Sequence, residues 1–204
     1  MKTLVVGADP FPPYQYYDEN GDIKGSDYDM VKAVIDKMGY EARYIIDEWS
    51  VIEKAFSEKK IDLVFQVQKT PERERKYHFS GKLRDATTSI VTWKDKTDQG
   101  SMDELFADGS KLGVIEGYLY GDIIDSIATG SKVNFKSLED LLQSVNSGET
   151  EYGVVDLGVF NYINRNKIYD KVKLLDKLNF NRPLYVCLND PALRDAFDKY
   201  LGKD

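Results

Sequence analysis

The strongest constraint on this chain is the alternation of short β-branched runs with amphipathic helical stretches. Leu4-Val5-Val6 reads as a buried strand stopped by Asp9-Pro10 and the Pro12-Pro13 pair, and Tyr14 to Tyr17 reads as a second short strand. Asp18-Glu19-Asn20-Gly21 is a turn, because Asn and Gly tolerate positive φ. Ser26 or Asp27 can then cap a helix whose apolar residues Met30, Val31, Val34, Ile35 and Met38 share one face, with Gly39 as its stop. Tyr44-Ile45-Ile46, a helix from about Ser50 to Ser57, and Ile61 to Phe65 repeat the pattern. Strands alternating with helices predict an α/β fold with a mainly parallel sheet.

The same unit recurs in the second half. WSVIEKAFSEKKIDLVF (49–65) and SLEDLLQSVNSGETEYGVVD (137–156) each present an amphipathic helix, a polar turn and a β-rich run. Two similar α/β lobes are the natural reading, and 204 residues suffice for two modest cores. Thr88 to Trp93 is a long β run leading into the polar stretch Lys94 to Gly100, a candidate linker or crossover. Leu184 to Leu188 is another, feeding Asp190-Pro191 and a helix with Leu193, Ala196, Phe197, Tyr200 and Leu201 on one face. Two β crossings match a hinge of two connecting strands, with the last helix returning to the first lobe.

Composition excludes several classes. One His and one Cys cannot furnish a zinc site, an iron–sulfur cluster or an internal disulfide, whereas carboxylate-only magnesium or calcium sites and carboxylate-pair catalysis survive the count; the expectation is no metal and no cofactor. A net charge of −7 disfavours nucleic acid as a partner. No run approaches the length of an apolar membrane span. The opening MKTLVVGADPF is not a signal-peptide pattern, so the chain reads either as cytoplasmic or as a mature domain cut from a longer precursor.

A few residues stand out chemically. Thr70-Pro71-Glu72-Arg73 has a helix-start signature, with Thr as N-cap and Pro at the first position. Arg73 there combines a guanidinium with the anion-favouring helix terminus, a match for a carboxylate. Residues 59–85 hold eight cations against four carboxylates, a local +4 within the acidic chain. A solvated charged helix face is the plainer alternative. Asp156 follows Tyr152 to Val155 at the carboxyl end of a strand, where ligands bind in open α/β sheets and an ammonium would find an acceptor. The plainer reading is the cap of the helix-like stretch from Leu157 to Ile163. Phe11, Tyr14, Trp49 and Tyr118 fall at strand ends or helix starts, where aromatics wall a pocket or simply fill a core. Gly113 to Gly121 is a strand and a Gly-bounded turn without phosphate-loop spacing, and His78 and Cys187 read as structural.

In order, these segments resemble the family 3 extracellular solute-binding proteins, bilobed binders of polar amino acids with a periplasmic-binding-protein type II fold. The resemblance runs through F-P-P-Y-x-Y-x-x-x-x-G at Phe11 to Gly21, G-S-D-Y-D-M at Gly25 to Met30, and I-D-L-V-F at Ile61 to Phe65. It continues with T-P-E-R-x-x-x-Y-x-F-S at Thr70 to Ser80, L-G-V-I-E-G at Leu112 to Gly117, and V-V-D at Val154 to Asp156.

The resemblance implies lobe 1 from 1–92 plus 185–204 and lobe 2 from 93–184. It implies Arg73 as the clamp on a ligand α-carboxylate, Asp156 as the acceptor of its α-ammonium, and Phe11 and Trp49 around its side chain. Gln66 and Gln68 stand where family members carry small or hydroxylated residues, and Gly117-Tyr118-Leu119 where the second lobe usually offers Gly-Ser/Thr-Thr. Both departures bear on the choice of ligand.

The expected function is binding of a small polar solute, an α-amino acid or similar carboxylate, with hinge closure and no catalytic residue. The protein would act in the periplasm or outside the cell. Its partner would be a membrane importer or its own membrane-anchored signalling domains, as in a histidine kinase or chemoreceptor. One alternative is a dehydratase-like enzyme with Glu116 or Asp156 as general acid; another is a signalling or interaction domain that binds no ligand.

Overall fold

A computed structural model describes residues 3–202. In chain order the elements begin β1 (Thr3–Ala8), β2 (Tyr16–Tyr17), β3 (Ile23–Lys24), α1 (Ser26–Lys37), β4 (Glu41–Ile46), α2 (Trp49–Ser57), β5 (Leu63–Val67), α3 (Pro71–Lys76) and β6 (His78–Trp93). They continue with α4 (Met102–Phe106), β7 (Leu112–Ile115), α5 (Asp122–Asp125), β8 (Lys132–Phe135), α6 (Leu138–Ser147), β9 (Tyr152–Asp156), α7 (Leu157–Ile163), β10 (Val172–Leu188) and α8 (Pro191–Tyr200). Single 3-10 turns precede β8 and follow α7.

The chain divides into two compact units, Met1–Asp85 with Pro183–Asp204, and Ala86–Arg182. It therefore passes between units within β6 and within β10, at 85/86 and 182/183, where the sequence reading sets 92/93 and 184/185. The 94–100 stretch lies inside unit 2, where the Lys94 N–H donates to the Lys171 carbonyl at 2.7 Å. Helix α8 lies in unit 1.

In unit 1, β1 runs parallel to β4 and β5, and β10 joins β5 antiparallel with an irregularity between Tyr185 and Cys187. The pleat sends alternate residues to opposite faces. Leu4, Val6, Leu63 and Phe65 meet Val31, Val34 and Ile35 of α1 and Phe197 of α8, whereas Val64, Val67 and Cys187 meet Ile52 and Phe56 of α2 on the other face. Burial of each such side chain contributes about 1.5–3 kcal/mol, which is what makes α1 and α2 stable as short helices.

Helix α1 starts differently from the expectation. Its N-cap is Gly25, at φ 128, with no side-chain cap. Asp27 is not a cap: it is fully buried, and its carboxylate is bound by side chains from β5 and β6. Tyr14 is likewise outside any strand, because the Tyr14 N–H turns back to the Phe11 carbonyl at 2.9 Å and Phe11 pairs with Gln15. Only Tyr16–Tyr17 remain extended, paired with β3.

In unit 2, β7 runs parallel to β8 and β9, and β9 pairs antiparallel with β6, with Thr88 opposite Asp156. Leu141, Leu142 and Val145 of α6 pack into a single core with Ile90, Leu112, Tyr152 and Val154. The helix is capped by the Ser137 hydroxyl, which accepts the Asp140 N–H, and closed by Gly148. Both repeats read in the sequence, 49–65 and 137–156, are thus helix-to-strand units, one per compact unit.

Candidate functional site

In unit 1, the Thr70 side chain caps α3 by accepting the Arg73 N–H at 3.2 Å, with Pro71 in the first turn. The cap sets where the Arg73 side chain leaves the backbone. Its Nη1 donates to the Gln68 carbonyl at 3.3 Å, its Nη2 to Glu53 Oε1 at 3.2 Å, and its Cζ lies 5.4 Å from the Trp49 ring centroid. Arg73 is thus held by two elements: α2, through Trp49 and Glu53, and the loop after β5, through Gln68. Glu53 is half exposed, so its pairing is screened by solvent and weak. The remaining guanidinium hydrogens, Nε–H among them, have no acceptor among the described residues. A carboxylate could take two of them in parallel.

A second arginine lies in the same unit. Arg84 on β6 donates through Nε to both carboxylate oxygens of Asp27, and its Cζ sits 3.6 Å from the Tyr14 ring centroid. Gln66, at φ 63, donates from Nε2 to the same Asp27 at 3.1 Å. Phe11 stacks on Tyr14 with centroids 6.2 Å apart. Sequence reasoning assigned Asp27 only to a cap and Arg84 only to the local charge. The signal available was the pair's chemistry, an Asp inside an amphipathic helix and an Arg inside a β run, each needing a partner if buried. Gln66 is thereby a support for Asp27, Tyr14 a platform for Arg84, and Gln68 acts through its backbone carbonyl.

In unit 2, Asp156 ends β9 and is the N-cap of α7, its Oδ1 accepting the Val159 N–H at 3.1 Å. The functional and the capping readings thus fall on one residue. Its Oδ2 accepts from Nη2 of Arg182 at 2.9 Å, and both residues are buried, Asp156 at 5% and Arg182 at 9% exposure. Arg182 Nε is buried without a partner. Sequence reasoning missed Arg182. It lies in phase with Leu178, Leu184 and Leu188 on β10, all buried, and a lone arginine on a buried face of a strand calls for a carboxylate.

Tyr118 sits in the turn after β7, its ring packed on the unit 2 core and 6.3 Å from that of Tyr120. Burial raises the Tyr120 phenol well above the ordinary range, and its hydroxyl accepts the Ile115 N–H at 2.9 Å. Glu116, two residues before Tyr118, is exposed.

The comparisons agree with this architecture. Residues 4–203 match the bacterial extracellular solute-binding proteins, family 3. A probable amino-acid-binding protein, YxeM of Bacillus subtilis (strain 168), is 30% identical over 141 residues, 69% of this chain and 52% of the relative. The L-cystine-binding protein TcyA of the same organism is 27% identical over 168 residues, 79% of this chain and 60% of TcyA. The chain thus spans little more than half the length of these relatives.

Among solved structures, an ancestral arginine-binding protein bound to arginine superposes with a TM-score of 0.83 at 27% identity, covering 98% of this chain and 90% of that one. A histidine kinase sensor domain with similarity to periplasmic binding proteins superposes with a TM-score of 0.87 at 20% identity, over 98% and 89% of the two chains. The fold is that of the type II periplasmic binding proteins. With its helix-to-strand units, capped Arg73 and strand-end Asp156 in place, the chain belongs to the bacterial extracellular solute-binding proteins, family 3.

Proposed function

We propose that this chain binds a small polar solute bearing a carboxylate, of the amino-acid class named for its relatives, with Arg73 on unit 1 as the carboxylate clamp. The observation that carries the reading is the Arg73 guanidinium, fixed by Thr70, Gln68, Glu53 and Trp49 yet keeping donors in hand. Asp156 on unit 2 is the second residue assigned to the solute. Phe11, Trp49 and Tyr118 supply apolar surface, and Tyr14, Gln66 and Gln68 hold the charged residues in place.

The reading is of a binder rather than a catalyst. Glu116 is exposed, not held in an apolar cleft, and Asp156 is already engaged by Val159 and Arg182. Binding would take place in the periplasm or outside the cell, with a membrane importer or a membrane-anchored signalling protein as the partner. No helix among the described residues is long and apolar enough to cross a membrane.

Isothermal titration of the protein with the protein amino acids and with their 2-oxo and 2-hydroxy acids tests the reading. Saturable heat with any of these carboxylates is expected; silence across the whole panel overturns it.

A further inference from the structure

Asp156 does not stand alone. Its Oδ1 is taken by the Val159 N–H and its Oδ2 by Arg182 Nη2, within a buried pair whose charges sum to zero. A cation approaching this carboxylate also meets the guanidinium bound to its Oδ2, so the attraction is offset by repulsion. Arg182 Nε, buried and without an acceptor, adds donor character and no acceptor character to the cluster.

Neither arginine of unit 1 reverses this balance. Arg84 is neutralised by Asp27, and Arg73 faces only the half-exposed Glu53. The three pairs sum to zero charge, and the donors left over, on Arg73 and at Arg182 Nε, call for oxygen acceptors.

We propose that Arg182 cancels the ammonium-accepting capacity of Asp156, so that the preferred solute is a small carboxylic acid carrying a 2-oxo or 2-hydroxy oxygen in place of an α-ammonium. The inference rests on the reading of Arg73 and Asp156 as ligand contacts and names the solute class for that site. Arg182 is a specificity-determining residue in this scheme: it sets the charge that the α-substituent of the ligand meets.

The experiment is a matched-pair titration of the full chain with each protein amino acid and with its 2-oxo and 2-hydroxy acid. In the wild type at least one acid of a pair binds more tightly than its amino acid; an amino acid that binds as tightly as both of its matched acids, or more tightly, overturns the proposal. Arg182→Gln should swing the ratio of affinities at least tenfold towards the amino acid, while Arg182→Lys, which keeps the charge, should leave it near wild type. An unchanged ratio in a folded Arg182→Gln also overturns the proposal. If Arg182→Gln fails to fold, the wild-type comparison decides alone. Binding of amino acids in preference to their acids sinks the inference and leaves the proposed function standing, whereas absence of binding in both series sinks both.

Discussion

Arg84 Nε donates to both oxygens of Asp27, at 2.9 and 2.8 Å, and the carboxylate it meets is fully buried. A buried charge that loses its partner pays its desolvation without return. Asp27→Ala should therefore lower unfolding free energy by about 3–5 kcal/mol, read as a shift of the urea midpoint at unchanged slope. The exposed pair Lys76 and Glu72 serves as the control: Glu72→Ala should leave the midpoint where it is.

As the proposed carboxylate clamp, Arg73 should set affinity and not stability. Each charged hydrogen bond to a ligand contributes about 1.5–3 kcal/mol, so losing two weakens binding by at least about a hundredfold. Arg73→Ala should show that loss by titration calorimetry with a thermal midpoint close to wild type. Arg73→Lys should fall between, because an ammonium keeps the charge but cannot present the parallel fork.

Gly25 is irreplaceable on two counts. At φ 128 it occupies a conformation that side chains rarely adopt, and a Cβ there would lie 2.1 Å from the Tyr14 carbonyl oxygen and 2.3 Å from its carbon. Backbone atoms cannot swing aside as a side-chain tip can. Gly25→Ala should cost about 3 kcal/mol or more in urea denaturation, whereas Gly21→Ala, at φ 80 with nothing within 4 Å, should cost only the conformational term of about 1–2 kcal/mol.

Cys187 is buried against the α2 face of the sheet, and burial pushes its thiol from 9.0 up to about 12, with the charge of Arg73 opposing. In the unfolded chain the thiol ionises near its ordinary value. Between pH 9 and pH 12 the unfolded state has lost a proton that the native state keeps, so stability falls as pH rises through that window, at up to about 1.4 kcal/mol per pH unit from this group. Below pH 9 the group contributes no slope. Iodoacetamide at pH 8 should label the native protein far more slowly than the urea-unfolded chain, by mass spectrometry; equal rates would contradict this burial.

Much of the fold is legible in local signals. The caps at Thr70, Asp156 and Asp190, each followed by a helix, are written in side-chain chemistry and hold in the structure. So do the β-rich runs that became β1, β5 and β9, and of the α1 stripe Val31, Val34 and Ile35 are buried whereas Met30 is exposed. The places of Arg73 in the first turn of α3 and of Asp156 at the cap of α7 were reachable because a capping signature marks both. What local reading could not reach was pairing at long range. Arg84 lies 57 residues from Asp27, and Arg182 lies 26 from Asp156. No periodicity reports a partner at such separations, and only the fold brings the charges together. The start of α1 shows the same limit: Asp27 has the chemistry of a cap, but the tertiary demand of Arg84 claims its carboxylate.

The left-handed backbone at Gln66 has a consequence beyond its own strain. Its amide is tied to Asp27, Asp27 to Arg84, and two residues further along the Gln68 carbonyl holds the Arg73 guanidinium. Within unit 1 a relay of polar contacts thus joins the buried end of α1 to the arginine that would meet solute. An isosteric change such as Asp27→Asn would be felt at the Arg73 guanidinium: the setting of a partly exposed side chain is calibrated from the interior.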